Sequence, residues 1–172
     1  MSSAFTKEDD AGALQDIGER PVSPHRNLVT PEGLAAIDAE LARLRPELGA
    51  AEAAEDREKI ALLSRDLRYW SARRENAEVS VPEPDTDVVR FGMTVTLEGE
   101  DGGRKVWRIV GEDEADAAHG TISHVSPMAV ALFGRKPGDL VTVGGREWEV
   151  TAVDHPGDPD ANAQTRGEGS TE

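Results

Sequence analysis

The chain has 172 residues, and 34 acidic against 19 basic side chains leave a net charge of −15. Apolar residues make up 37%, below the ~45–50% of an ordinary globular domain, so part of the chain is expected not to pack. The length admits one domain or two small ones. No apolar run approaches the ~18 residues of a membrane span, and the acidic start Met1–Asp10 is unlike a signal peptide. The absence of cysteine excludes disulfide scaffolds, thiolate catalysis and zinc ribbons. A pI near 4.6 argues against autonomous duplex binding, which needs Lys and Arg at phosphates. A cytoplasmic protein that touches basic protein surfaces is the expectation.

Residues 1–27 read as a disordered tail, with only Leu14 and Ile17 as anchors. The hairpin segment, 28–79, carries the clearest pattern. Thr30 suits an N-cap, Pro31 the first helical position, and Val29 can staple onto Leu34. Leu34, Ile37, Leu41, Leu44 and Leu48 then fall at 3-4-3-4 spacing, and Ile60, Leu63, Leu67 and Trp70 form a second seam, with Ala77 beyond it. Pairing Ile37 with Trp70, Leu41 with Leu67, Leu44 with Leu63 and Leu48 with Ile60 gives position sums of 107 or 108. A near-constant sum predicts an antiparallel hairpin that turns near residues 51–56, with arms ~30 Å long. Pro46 should kink the first arm or end it early.

Residues 80–87, rich in proline and aspartate, read as a linker. From Val88 the apolar period becomes two. Strands are expected around Phe91–Leu97, Val106–Val110, Gly120–Val125, Leu140–Val143 and Trp148–Val153, with one helix from Ser126–Pro127 to Phe133. Residues 88–154 thus form a compact α+β unit. Residues 155–172 read as a disordered acidic tail.

Ordered blocks now resemble the GreA/GreB family of transcription elongation factors. They are Leu28-Val-Thr-Pro-Glu-Gly-Leu, Asn76-Ala-Glu-Val, Phe91-Gly-Met-Thr-Val-Thr-Leu, Arg108-Ile-Val-Gly-Glu-Asp-Glu-Ala-Asp, and Ser126-Pro-Met-Ala-Val-Ala-Leu with Pro137-Gly-Asp. The resemblance implies an α+β protein: an N-terminal antiparallel coiled-coil hairpin, then an FKBP-like antiparallel sheet domain with one helix. It also implies binding to RNA polymerase, with the sheet domain at the rim of the secondary channel and the coiled coil pointing inward.

One departure limits the resemblance. Cleavage-stimulating members carry a Gly-Asp-x-Ser-Glu-Asn-Ala-(Asp/Glu)-Tyr signature at the hairpin tip, whose carboxylates help hold a second magnesium ion. This chain has none there. Glu75-Asn76-Ala77-Glu78 looks like a fragment of it, but the pairing puts those residues at the hairpin base, and they read as the end of the second helix. The arms look shorter than the family's by roughly seven residues each, or ~10 Å, too far for contact with a metal at ~2.1 Å. The short arms also resemble the nucleoside-diphosphate-kinase regulator (Rnk) branch of the fold. Around the turn stand Glu47, Glu52, Glu55, Asp56 and Glu58 beside Arg57 and Lys59. They read either as solvated turn residues or as groups that repel or engage basic channel walls or act on the metal site through water.

Arg65, Arg68, Arg73 and Arg74 are expected to pair with Asp38, Glu40 and neighbouring acids, or to meet acidic polymerase surface. His25, His119, His124 and His155 lack metal-ligand spacing. Ser126 reads as a helix cap rather than a nucleophile, and Gly102-Gly103 and Gly144-Gly145 as hairpin turns. Phe91, Trp107, Phe133 and Trp148 read as core; as pocket lining they would suggest the alternative of an FKBP-like binding module or prolyl isomerase. Asp113, Glu114 and Asp116 in the acidic loop, with Ser126, Pro127 and Met128 of the short helix, are the docking candidates. The expectation is therefore a non-enzymatic, cofactor-free regulator of transcription elongation that inserts a short coiled coil into RNA polymerase, without efficient stimulation of cleavage. No metal, membrane or sequence-specific nucleic acid is expected, and a monomer is.

Overall fold

The computed structural model describes residues 17–158; Leu14 and most of both expected tails lie outside them. Among these residues the chain forms two compact units, one holding residues 17–24 and 34–77, the other 25–33 and 78–158.

The first unit is a helical hairpin. Helix α1 runs Pro31–Ala53 and helix α2 Arg57–Glu75. The two seams meet as their spacing predicts. Leu44, Ala51 and Leu63 form a buried cluster with Leu48, Ile60, Leu67 and Trp70 packed around it, and Ile37 and Leu41 are buried further down α1. Helices in proteins draw most of their stability from packing of an apolar face, and this shared seam supplies it. Pro46 does not end α1, which continues to Ala53. It lies on the exposed side of the helix, as does Ala42, so the carbonyl deprived of its N–H partner can be hydrated.

Helix α2 stops at Glu75. Asn76 caps it, its amide donating to the Ala72 carbonyl at 3.2 Å. The expected helical end at Glu75–Glu78 is therefore corrected: only Glu75 is helical, and Ala77–Val79 is a strand, β2, paired with β1 at Asn27–Val29. The Ser80 amide extends that pairing by donating to the Val29 carbonyl at 3.0 Å. Three-residue strands have no alternation to read, which is why Val29 and Ala77 looked like helix flanks.

The second unit is built on a five-stranded sheet. Its strands are β3 Thr94–Gly99, β4 Arg104–Val110, β5 Thr121–Ser123, β6 Leu140–Val143 and β7 Arg146–Asp154, in the order β5-β4-β3-β7-β6. Three pairings are antiparallel. The fourth, β4 with β5, is parallel (Arg108↔Thr121 to Val110↔Ser123), so the sheet is mixed and not wholly antiparallel. A parallel neighbour needs a crossover, and residues 111–120, with a 3₁₀ turn at Ala117–His119, supply it. Helix α3, Pro127–Leu132, packs Ala129 and Leu132 into the core beside Val95, Leu97, Ile109, Val141 and Val150. Phe91 and Trp148 are buried in that core, and Trp107 and Phe133 pack against it.

Candidate functional site

Two places carry the acidic candidates. At the hairpin tip the chain reverses over Ala54–Asp56. The Asp56 amide donates to the Ala51 carbonyl at 3.1 Å and the Glu55 amide to the Glu52 carbonyl at 3.1 Å. This pair of bonds is the Schellman closure, with Glu55 in the left-handed position that glycine normally fills. Glu55 has φ +53°, the only positive φ at a non-glycine residue among the described ones. A side chain there costs roughly 1 kcal/mol relative to glycine. Asp56 then starts α2, its carboxylate accepting from the Lys59 amide at 3.1 Å.

The tip is therefore a rigid two-cap turn ringed by exposed carboxylates: Glu52, Glu55 and Glu58 are exposed. Glu47 is set apart by its pairing with Arg43 at 3.0 Å. No group of three or more His, Cys, Asp or Glu side chains among the described residues is arranged to hold a metal ion. One Asp56 oxygen is engaged at the helix cap.

The acidic loop differs from its expected solvated form. Glu114 is half-buried and turned inward. Its carboxylate accepts from the Thr30 amide at 3.1 Å, from the Thr30 hydroxyl, and from the Gly111 amide at 2.9 Å. The same Thr30 hydroxyl oxygen caps α1 by accepting from the Gly33 amide at 3.0 Å. A Cβ added at Gly111 would lie 2.5 Å from the Leu28 carbonyl oxygen, and one at Gly33 would strike the Glu114 carboxylate. Glu114 is thus the pin that ties the loop to the strand and cap at 27–33, which the sequence did not disclose. Thr30 looks like any N-cap, and its partner lies 84 residues away.

The remaining loop candidates divide. Asp116 is exposed and caps the 3₁₀ turn, accepting from the Ala118 amide at 3.1 Å and meeting His119 Nδ1 at 2.6 Å. The His119 hydrogen bond holds its carboxyl below the usual aspartate value. Asp113 is half-buried. Ser126 caps α3, accepting from the Ala129 amide at 3.3 Å; Pro127 is exposed and Met128 packs on the core. On α3 the exposed apolar residue is Val130, which sequence reasoning passed over.

The arginines of α2 do more varied work than expected. Arg74 pairs with Asp38 at 2.6 Å, but Glu40 takes Arg43 instead, at 2.6 Å. Arg73 is buried. Arg65 meets its neighbour Asp66 at 3.2 Å, and Arg68 pairs with Glu19 at 2.5 Å. Of the histidines, His124 is buried edge-on to Phe91, while the His155 ring lies 2.8 Å from the Thr86 carbonyl.

Comparison with known proteins finds relatives by sequence. Residues 83–155 match the family described as "Transcription elongation factor, GreA/GreB, C-term". The chain is 49% identical over 94 residues to the transcription elongation factor GreA of Nitrobacter hamburgensis, covering 52% of this chain and 58% of that one. It is 46% identical over 81 residues to the GreA of Bradyrhizobium diazoefficiens, covering 52% of it, so the chain spans little more than half the length of these relatives. The match to GreA of Ruegeria pomeroyi is longer: 34% identity over 154 residues, covering 74% of this chain and 96% of the relative. Among solved structures, a GreA/GreB factor from Nitrosomonas europaea aligns at 21% identity over 76% of this chain and 99% of its own, with a TM-score of 0.38. With a third of its residues identical across nearly the whole of the Ruegeria protein, the chain belongs to the GreA/GreB family of transcription elongation factors.

Proposed function

We propose that this chain binds RNA polymerase and regulates elongation by inserting its short helical hairpin into the polymerase secondary channel, where it competes with cleavage factors without efficiently stimulating cleavage itself. The supporting observation is the tip. Arms of 23 and 19 residues reverse through a two-cap turn in which the Asp56 carboxylate accepts from the Lys59 amide at the start of α2. A hairpin of this length reaches about 30 Å from its base, and two-metal chemistry demands oxygen ligands placed to a fraction of an ångström. On this reading Glu52, Glu55, Asp56 and Glu58 present negative charge to the channel walls.

The sheet domain supplies the anchorage. Asp113, Asp116 and the outer face of α3 with Pro127 and Val130 are the proposed contact surface. Glu114, Ser126 and Met128 act beneath it: the first pins the loop, the second starts the helix and the third packs it down. The domain limits that go with this reading are hairpin 28–79, linker 80–87 and sheet domain 88–154. The chain's residues do no bond chemistry of their own. They bind, occupy and orient.

The test is a cleavage assay on backtracked elongation complexes with a cleavage-stimulating GreA added. This protein is expected to suppress that cleavage in proportion to its concentration and to produce little alone. Strong cleavage by this protein alone, lost on Glu52, Glu55 and Asp56 substitution, would overturn it.

A further inference from the structure

The segment preceding the hairpin folds back on it. Arg20 sets its guanidinium carbon 3.9 Å from the Tyr69 ring centroid and 5.5 Å from that of Trp70. Its Nη1 lies 3.4 Å from Asp66 Oδ1. Beside it, Arg68 donates to both Glu19 oxygens, at 3.0 and 2.5 Å, and the Arg68 hydrogen bond lowers the Glu19 carboxyl from its ordinary value. Pro21 and Pro24 fix φ on either side of Val22, which limits the freedom this stretch loses on docking. Tyr69 and Trp70 stack edge-on at 5.1 Å, so the guanidinium closes a small aromatic face of α2.

We infer that residues 17–24 are a cis-acting strap, closed over the Tyr69–Trp70 face of α2, which restrains entry of the hairpin into its partner until it is displaced. The inference rests on the proposed insertion. Asp66 to Trp70 lie ten to fourteen positions beyond Asp56, about 15–21 Å along the helix axis from the reversal. A tunnel that admits the hairpin past that depth must displace the strap or accommodate its added width. The fastening suits a releasable device. The Glu19–Arg68 pair is largely exposed and the Arg20 stack lies at the surface, so each contact is weak alone and screened by salt. The four contact points act together only while the segment stays in place.

If the closed form holds roughly 70–90% of molecules, locking the strap open raises apparent affinity for the partner about 3- to 10-fold, because binding draws only on the open fraction. The chain has no cysteine, so Val22→Cys, at an exposed position, gives a single site for a nitroxide. Docking is read in the free chain as paramagnetic broadening of the α2 amides around residues 65–70, which Glu19→Arg with Arg20→Glu abolishes. Binding to core RNA polymerase is then compared for the full chain, for that double variant, for deletion of residues 1–24, and for Glu19→Arg combined with Arg68→Glu, which restores the ion pair. The strap is supported if the double variant and the deletion bind about 3- to 10-fold tighter at low salt, the gap narrows at high salt, and the charge swap returns affinity toward that of the full chain. Equal binding by all forms, or broadening that survives the double variant, overturns it. Failure of every form to bind, with broadening intact in the free chain, instead contradicts the insertion reading and removes the strap's regulatory role with it.

Discussion

Thr30 and Glu114, 84 residues apart, share a carboxylate: the Thr30 amide donates to it at 3.1 Å, and the Thr30 hydroxyl also reaches it. Because the Gly111 amide uses the same group at 2.9 Å, one side chain satisfies three donors. Glu114→Ala should therefore destabilise the sheet unit by about 2–3 kcal/mol, from lost charge-assisted bonds and stranded amides. Glu114→Gln should recover only part of this, since its amide end would face donors. Denaturant unfolding followed through Trp107 and Trp148 measures both.

Gly111→Ala should be as damaging, because the backbone carbonyl of Leu28 cannot move aside as a side-chain end could. A loss of about 1–3 kcal/mol is expected, with α2 helicity preserved. Circular dichroism combined with urea titration separates the two.

Glu55→Gly should stabilise the hairpin by roughly 1 kcal/mol, by relieving the left-handed side chain at φ +53°. Pro at the same position should destabilise it, because its ring cannot adopt that φ. Thermal melts at 222 nm would show the opposite shifts. Within the hairpin seam, Leu44→Ala should cost about 2–5 kcal/mol, as Leu44 is fully buried. Leu62→Ala, on the exposed side, should fall within about 0.5 kcal/mol.

The position sums made the hairpin legible because residues of both seams, Leu44 and Leu48 of one and Ile60, Leu63, Leu67 and Trp70 of the other, gather in one cluster. The turn followed from the same constancy. The parallel β5 was not legible, since Thr121–Ser123 carries no mark of which strand it will join. Nor was the inward turn of Glu114, which in sequence is one acid among four between Glu112 and Asp116. Residues 17–24 read as tail because their anchoring uses single polar contacts and not apolar periodicity.

Acid should weaken the fold in a defined window. Glu32 is held below the ordinary glutamate value of 4.5, first by a hydrogen bond from its own amide at the start of α1 and then by the Arg108 charge. Glu78 is lowered by Arg26, Glu40 by Arg43, and Asp101 by the Gly103 amide and Arg146. A carboxylate with a depressed folded pKa contributes stability that is fully present above its unfolded value and is lost as pH falls through the folded one. Stability should thus stay level from neutrality to about pH 5 and decline below it. High salt should flatten that decline, since these groups lie near the surface. Urea midpoints taken from pH 7 to pH 3 test the sign.

The hairpin's destination is tested most directly by chemistry at its end. With Ala54→Cys as the sole thiol, a short photo-crosslinker placed on the tip can be activated in a complex with RNA polymerase. Adducts to polymerase segments lining the secondary channel are expected, suppressed when a GreA protein is added in excess. Adducts confined to the outer polymerase surface, or adducts indifferent to that competitor, would contradict it.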